Sequence, residues 1–428
     1  MILSRGRAIP ARAKSFARTR MRNFYSTRIF FRFLWLINSI AIALGFRLSR
    51  TAIEPARVCI VPPPGSGNIG DQALFESVLW NTTGPATVYV RSFDDFRLPE
   101  WVERDRVEWK MAPHLLYSGG LRHVLAMGKL GLAARRYSSV YVVGADIMDG
   151  AYNPRASLNR WNLASSLGVR GIRSVVLGFS WNAAPNPSSL AALKEASLNC
   201  EVWVRDPASY ERVVRDGVTS ARLCADIVFR HPVSASRHVA NEPTPSIPET
   251  LASDRKYGVV NMSALLPEEA HQLSQYSLIV DEMLHAGWEV VLLPHVRRPG
   301  NDDRDRLLKL MEGYDGRVSL VTTHLSPSAV HELVGSAEMV VTGRMHLAIL
   351  ATISGSPAVT LASQGKVVGL YQSLGRESWA IDPSSDFGSF VAEEVRIISL
   401  CDGKALIDEV AIDRLVELAG LPFGLSLT

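Results

Sequence analysis

Short apolar runs alternate with helix-length segments along most of this chain, and the pattern occurs twice. No other feature constrains the fold as tightly. Val58-Cys-Ile-Val-Pro62, Thr87-Val-Tyr-Val-Arg91, Val140-Tyr-Val-Val143, Ser174-Val-Val-Leu-Gly178 and Glu201-Val-Trp-Val-Arg205 read as strands, and Ala225-Asp-Ile-Val-Phe229 closes the series. A Pro/Gly loop and a helix from about Asp71 are expected after the first. Residues 234–254 hold three prolines and little apolar content, which reads as a linker. The alternation then restarts at Tyr257-Gly-Val-Val-Asn261. It runs through Trp288-Glu-Val-Val-Leu-Leu293, Val318-Ser-Leu-Val321, Met339–Val341 and Ala358-Val-Thr-Leu361, with helices expected around 268–286 and 303–312.

Strands alternating with helices imply mostly parallel sheets. The expected fold class is therefore α/β, with two Rossmann-like domains facing across a cleft and ligands between their strand ends. The expected division is an extension (1–54), a first domain (55–235), a linker (236–255), a second domain (256–380) and a C-terminal helical segment (381–428).

A length of 428 residues, 47% hydrophobic and 21% charged, suits two globular domains. The net charge of +4 conceals an asymmetry, because residues 1–53 carry eleven Lys or Arg and no acid. The remaining 35 basic residues face all 42 acidic ones, so the body is mildly acidic and no nucleic-acid partner is expected. Cys59, Cys200, Cys224 and Cys401 lie far apart without ligand spacing, which argues against a disulfide framework or a zinc site and for a reducing compartment.

Ile29 to Phe46 is apolar apart from Arg32, and basic residues flank it. Four readings stay open: a short membrane span or interfacial helix, a secretory signal core, a mitochondrial presequence, and a tail with a core helix behind a mis-assigned start. The expectation is a cytoplasmic body whose arm associates with the inner face of a membrane, since basic flanks stay inside and attract anionic lipid.

Met339-Val-Val-Thr-Gly-Arg-Met-His-Leu-Ala-Ile-Leu350 carries the densest chemistry. Arg344 and His346 are expected where a buried strand gives way to a helix, and the free N–H groups and dipole of such a helix start favour an anion. A guanidinium adds bidentate recognition, and an imidazole adds a group that titrates near neutrality. The alternative is a buried Arg–carboxylate pair beside a structural His.

Gly65-Ser-Gly-Asn-Ile-Gly70 has dinucleotide-fingerprint spacing, but three prolines precede it and Asp71 would repel a pyrophosphate. It reads instead as a lip aiming Asn68 and Asp71 into the cleft, or as Asp71 capping its helix.

Gly67-Asn-Ile-Gly-Asp71, Gly144-Ala-Asp146, Val204-Arg-Asp-Pro-Ala-Ser209, Pro294-His295 and Gly343-Arg-Met-His346 with Gly355-Ser-Pro357 and Lys366 follow in that order. Together, over about residues 57–375, they resemble the polysaccharide pyruvyl transferase family. The resemblance implies a fold similar to GT-B. It also implies transfer of the enolpyruvyl carbons of phosphoenolpyruvate onto two sugar hydroxyls, giving a cyclic ketal and phosphate. Arg205 and Arg344 match the family's phosphoenolpyruvate-binding arginines, and His346 matches its functional His, as acid or phosphate ligand. His295 is the second candidate acid, or a His hydrogen-bonded at the domain seam. Asp71, Asp146 and Asp149 are candidates to bind acceptor hydroxyls or act as base, or are caps and turn residues. Asn68 joins them on the lip, and Lys366 reaches the phosphate or covers a surface. Ala145 stands where the family usually has Gly. Asp226 resembles a family Asp of structural or catalytic use, and Trp181 is a candidate sugar platform. The run Asp302 to Arg306 reads as a solvated helix face, and His324 and His331 as structural.

The leading expectation is thus a pyruvyl transferase acting on phosphoenolpyruvate and a carbohydrate, free or lipid-linked. It needs no cofactor beyond the donor substrate and no metal. The rivals are a GT-B glycosyltransferase using a nucleotide sugar, against which Gln364-Gly-Lys366 argues mildly, and a non-catalytic anion- or glycan-binding relative.

Overall fold

Two parallel sheets wound in the same order organise the molecule. The structure is a computed structural model that describes residues 28–50, 54, 56–234, 255–266, 269–314, 316–362, 365–401 and 406–425. The basic segment 1–27, the linker residues 235–254 and Gln364 lie outside the described residues.

Helix α1 (Arg28–Leu48) leads into β1 (Val58–Val61). The first domain continues with α2 (Ile69–Trp80), β2 (Ala86–Val90), β3 (Val107–Met111), α3 (Pro113–Leu116), α4 (Gly120–Ala134), β4 (Ser139–Ala145) and α5 (Pro154–Gly168). It closes with β5 (Arg173–Phe179), α6 (Pro187–Ala196), β6 (Glu201–Val204), α7 (Pro207–Arg215) and β7 (Arg222–Leu223). The strand order is β3-β2-β1-β4-β5-β6-β7, and neighbours pair in parallel.

The second domain holds β8 (Tyr257–Asn261), α8 (Glu269–His285), β9 (Glu289–Leu292), a hairpin of β10 (Arg297–Arg298) and β11 (Asn301–Asp302), α9 (Asp303–Met311), β12 (Val318–Leu320) and α10 (Pro327–Gly335). Then come β13 (Met339–Thr342), α11 (Met345–Ile353), β14 (Ala358–Leu361), α12 (Gly365–Ser373), β15 (Ala380–Ile381), α13 (Phe387–Leu400) and α14 (Glu409–Gly420). Its main sheet has the order β12-β9-β8-β13-β14-β15, again parallel.

In both sheets the winding reverses beside the first strand, between β1 and β4 and between β8 and β13. Loops leaving the carboxyl ends of strands at such a reversal splay apart and open a crevice. Two Rossmann-like domains facing across that crevice form the GT-B-like architecture.

Local signals set the elements. The central strands β1, β4, β8, β9, β13 and β14 are buried at every position because helices cover both faces. Asn153, Asn186, Asp206 and Ser326 each cap a helix whose next residue is proline, which has no N–H to leave unpaired. At the far end, α14 is followed by a return to the first domain. There the Phe423 ring lies 5.5 Å from that of Tyr141, and Arg173 donates to Pro422 O at 2.9 Å.

Two expectations are corrected. Ala225–Phe229 is no strand: Asp226 accepts from Val228 N at 3.1 Å and starts a 3-10 turn, Ile227–Arg230, whose apolar side chains are core without being β. An edge strand, β3, has no counterpart among the expected strands, since Glu108 and Lys110 break its apolar pattern. The apolar stretch near residue 40 forms α1, which lies on the body with Asn38, Ile42 and Gly45 buried. No described helix is long and apolar enough to cross a membrane.

Candidate active site

The lip after β1 reaches across the crevice. Arg297 N donates to Gly67 O at 2.7 Å, and Ile69 N donates to His295 O at 3.2 Å. Gly67 adopts φ 69°, and a Cβ there would lie 2.2 Å from Arg297 O, so glycine lets the two backbones touch. Asn68, not Asp71, caps α2, accepting from Gly70 N at 3.0 Å. This leaves the Asp71 carboxylate in the first turn for other use.

Behind the lip is a cavity of about 330 Å³ between the strand ends of both sheets. Asn68, Asp71 and Asp146 line it from the first domain, and His295, Arg298, Arg344, His346 and Lys366 from the second. Seven residues singled out from sequence therefore meet here with Arg298, while Arg205, Asp149, Asp226 and Trp181 do not line this cavity.

Arg205 lies outside it. Its side chain is 1% exposed and sits behind the wall, donating to Asp146 Oδ1 at 2.5 Å, Asp226 Oδ2 at 2.9 Å and Ser180 Oγ at 2.9 Å. It braces two carboxylates instead of facing the cavity. Lys366 grips the other oxygen of Asp146. Burial alone would raise the Asp146 pKa, but Lys366 and Arg205 outweigh it and hold the carboxyl far below its usual range. At Asp226 the same contest, with His346 and Arg205 opposing burial, leaves a value of about 2.

Asp71 differs. Burial pushes its pKa up, and the charges of His346 and Arg298 offset only part of that. Burial thus makes it a stronger proton acceptor than an exposed carboxylate, which suits a general base.

His346 opens α11, whose cap residue Arg344 makes no side-chain cap hydrogen bond. A Cβ on Gly70 would stand 2.3 Å from His346 Nδ1, so the ring packs directly on the α2 backbone. Its Nε2 lies 3.4 Å from Asp226 Oδ2, an ion-pair separation whose angle makes no hydrogen bond. His295 is buried with neither ring nitrogen hydrogen-bonded. Burial, then the charge of Arg344, pushes its pKa well below normal. That shift favours the neutral ring.

Arg344 lines the cavity yet is also half of a buried pair. Asp303 accepts from its Nε at 3.2 Å and its Nη2 at 2.5 Å, and Asn301 Oδ1 accepts from Nη2 at 2.9 Å. Asp303 is fully buried and also accepts from Ala264 N at 2.9 Å and Val296 N at 3.0 Å. The run from Asp302 to Arg306 is therefore no solvated face at this residue. Leu307 and Leu310, buried at i+4 and i+7, are the sequence signal that Asp303 shares their inward face. Arg298, half-buried on the β10 hairpin, has no carboxylate within 4.0 Å among the described residues. A Pro-Gly turn after two arginines was its only sequence signal.

A side pocket of about 160 Å³ shares Asp146, Tyr152 and Lys366 with the main cavity. Asp149 lines it, accepting from Ala151 N at 2.9 Å and from Asn182. Trp181 is not a free platform: it is 1% exposed, donates to Asp216 Oδ2 at 2.8 Å and meets Phe179 edge-on. Tyr152, which the sequence reading passed over, is 58% exposed at the mouth of both spaces. Among the described residues no cluster of three or more His, Cys, Asp or Glu is placed to hold a metal ion.

Comparison with known proteins agrees with this architecture. The profile of the family described as polysaccharide pyruvyl transferase matches residues 14–365. No curated protein gives a match. Among solved structures, the UDP-GlcNAc 2-epimerase from Neisseria meningitidis bound to UDP-GlcNAc is similar over 85% of this chain and 98% of its own, with TM-score 0.54 and 11% identity. A further UDP-N-acetylglucosamine 2-epimerase covers 87% of this chain and 97% of its own, with TM-score 0.50 and 12% identity. At such identities the likeness is one of fold.

Proposed function

The chain belongs to the polysaccharide pyruvyl transferase family, a family of transferases, and from that premise we propose that it moves the enolpyruvyl group of phosphoenolpyruvate onto two hydroxyls of a sugar. The observation that supports this is the polarity of the cavity. Arg298 and Arg344, with His346 beside them, form a cationic wall on the second domain, and Asp71 and Asp146 form an acidic wall on the first.

Phosphoenolpyruvate carries two anionic groups, which the cationic wall suits. Arg298 is uncommitted to any described carboxylate and supplies charge for one. The Nη1 group of Arg344, whose Nε and Nη2 are held by Asp303 and Asn301, supplies a preorganised donor for the other. A sugar opposite would present hydroxyls to Asp71 and Asp146. Asp146, ionised by its two cations, accepts hydrogen bonds from the acceptor.

In the proposed reaction C3 takes a proton while the first hydroxyl oxygen bonds to C2, its own proton passing to Asp71. Cleavage of the C2–O bond then releases phosphate, and the second hydroxyl adds to the resulting oxocarbenium centre and loses its proton. The methylene becomes a methyl group, and C2 becomes the ketal carbon. His346 is placed to supply the proton at C3 or to hold the phosphate. Docking of the lip on the β10 hairpin excludes water that would otherwise trap the cation.

Incubation with phosphoenolpyruvate and candidate glycans, followed by phosphate assay and product mass, tests the reading. Acceptor-dependent phosphate release with a ketal on the glycan is expected. Turnover of a nucleotide sugar with phosphoenolpyruvate left intact would overturn it.

A further inference from the structure

Among the described residues the outer faces of α1 and α4 carry an exposed apolar surface. On α1, Trp35 donates to Ser165 Oγ at 3.2 Å and Ser39 meets Ser166 at 3.3 Å, so this side of the helix grips α5. Leu36, Ile40, Leu44 and Leu48 recur every fourth residue on the opposite side and are 50% to 71% exposed. The α1 backbone presses into α4 at its glycines. A Cβ on Gly131 would lie 2.4 Å from Ile42 O, and one on Gly45 would lie 2.2 Å from Gly128 O. Leu121, Leu125 and Leu132 stand on the α1 flank of α4 by the helical repeat, 43% to 72% exposed. Seven large aliphatic side chains thus form two adjacent exposed ridges, more than a soluble surface ordinarily shows in one place.

Charge says what covers them. Neither residues 1–53 nor residues 109–145 contain an Asp or Glu. Arg47, Arg50, Arg122, Lys129 and Arg135 are exposed on or beside the two helices. An apolar ridge whose own two helices carry cations and no acid fits a sheet of negative headgroups over acyl chains. A second copy of this chain would bring like charges together instead.

We propose that the outer face of α1 and α4 lies on an anionic lipid bilayer, as an interfacial surface and not a span. The face begins beside the cleft: Gly119, just before α4, packs against Arg155, in the first turn of α5 and three residues after Tyr152 at the cavity mouth. A sugar carried on a membrane lipid would approach from that edge, a consequence that rests on the proposed reaction. The docking itself does not.

The test is co-sedimentation of the full chain with phosphatidylcholine vesicles, with and without phosphatidylglycerol. Binding to the phosphatidylglycerol vesicles is expected, weakened by salt. The double variant Leu44→Glu/Leu125→Glu should lower it about tenfold or more, with its melting transition intact. Should that variant not fold, Leu121→Ser gives the same comparison at the most exposed of the α4 leucines. Arg47→Glu/Lys129→Glu should remove most of the preference for phosphatidylglycerol. Absence of vesicle binding by the natural chain, or binding unchanged in the face variants, overturns the proposal. So does a dimer in light scattering that the double variant dissolves while neither protein binds vesicles.

Discussion

Asp303 holds Arg344 through Nε and Nη2 from a site with no solvent exposure, so the cavity's guanidinium is aimed by a carboxylate that no substrate can touch. Removing that carboxylate strands a buried cation and frees its direction. Asp303→Asn is predicted to cost about 3 kcal/mol of stability, the low end for breaking a buried pair. It should also raise KM for phosphoenolpyruvate. Urea unfolding and steady-state kinetics measure both, and a variant as stable and active as the natural chain would remove Asp303 from this role.

The contact between Gly70 and His346 leaves no room for a methyl group. Gly70→Ala should therefore push the imidazole off its position with the fold kept. A displacement near an ångström lowers kcat on the order of 100-fold. Unchanged kcat in a folded variant would mean that the ring's place is immaterial to turnover.

Arg298 separates the proposed anion site from mere architecture, because it props up no carboxylate among the described residues. Arg298→Ala should leave the melting temperature nearly unchanged. Loss of one charge-assisted contact should raise KM for phosphoenolpyruvate roughly 10- to 100-fold. A purely structural Arg would show the opposite split.

The buried rings and carboxylates set an acid limit. His295 has a folded pKa below its unfolded value near 6.5. Between those two values the unfolded chain binds a proton that the native chain does not. Stability therefore falls as pH drops below about 6.5, by at most about 1.4 kcal/mol per pH unit for this one group. Asp226, at about 2 when folded against a usual 3.8, adds stability that is full above about 4 and disappears as pH falls through 2. Urea titrations at pH 7, 6 and 5 should show the first slope, and His295→Phe should flatten it. The same slope in that variant would assign it elsewhere.

Ala145 lines the cavity with φ 45°, a left-handed conformation that costs a residue with a side chain about 1–2 kcal/mol. Ala145→Gly removes that strain but loses backbone entropy, for a net gain of about 0.5–1 kcal/mol. Thermal unfolding decides the sign.

The strand ends were legible because a strand buried on both faces has little choice but apolar residues, and the chemistry follows it within about ten positions. Asp71, Asp146, Arg344 and His346 were found that way. The reading failed where function depends on distant pairing. Nothing local distinguishes an Arg that faces a cavity (Arg298) from one that braces two carboxylates (Arg205). Asp303 was hidden in a charge run, although its i+4 and i+7 leucines mark its face. At α1 the apolar content was legible and its protein partner was not: glycines on α4, eighty residues onward, let one side of the helix pack on the first domain.

The chain passes from the first domain to the second after residue 234 and returns through α14, whose end meets Tyr141 and Arg173. On the crevice side the main-chain bond from Arg297 to Gly67 and that from Ile69 to His295 tie the two walls together. With the Gly70 backbone against the His346 ring as well, the alignment of Asp71 with His346 is carried by backbone contacts and not by side-chain placement alone.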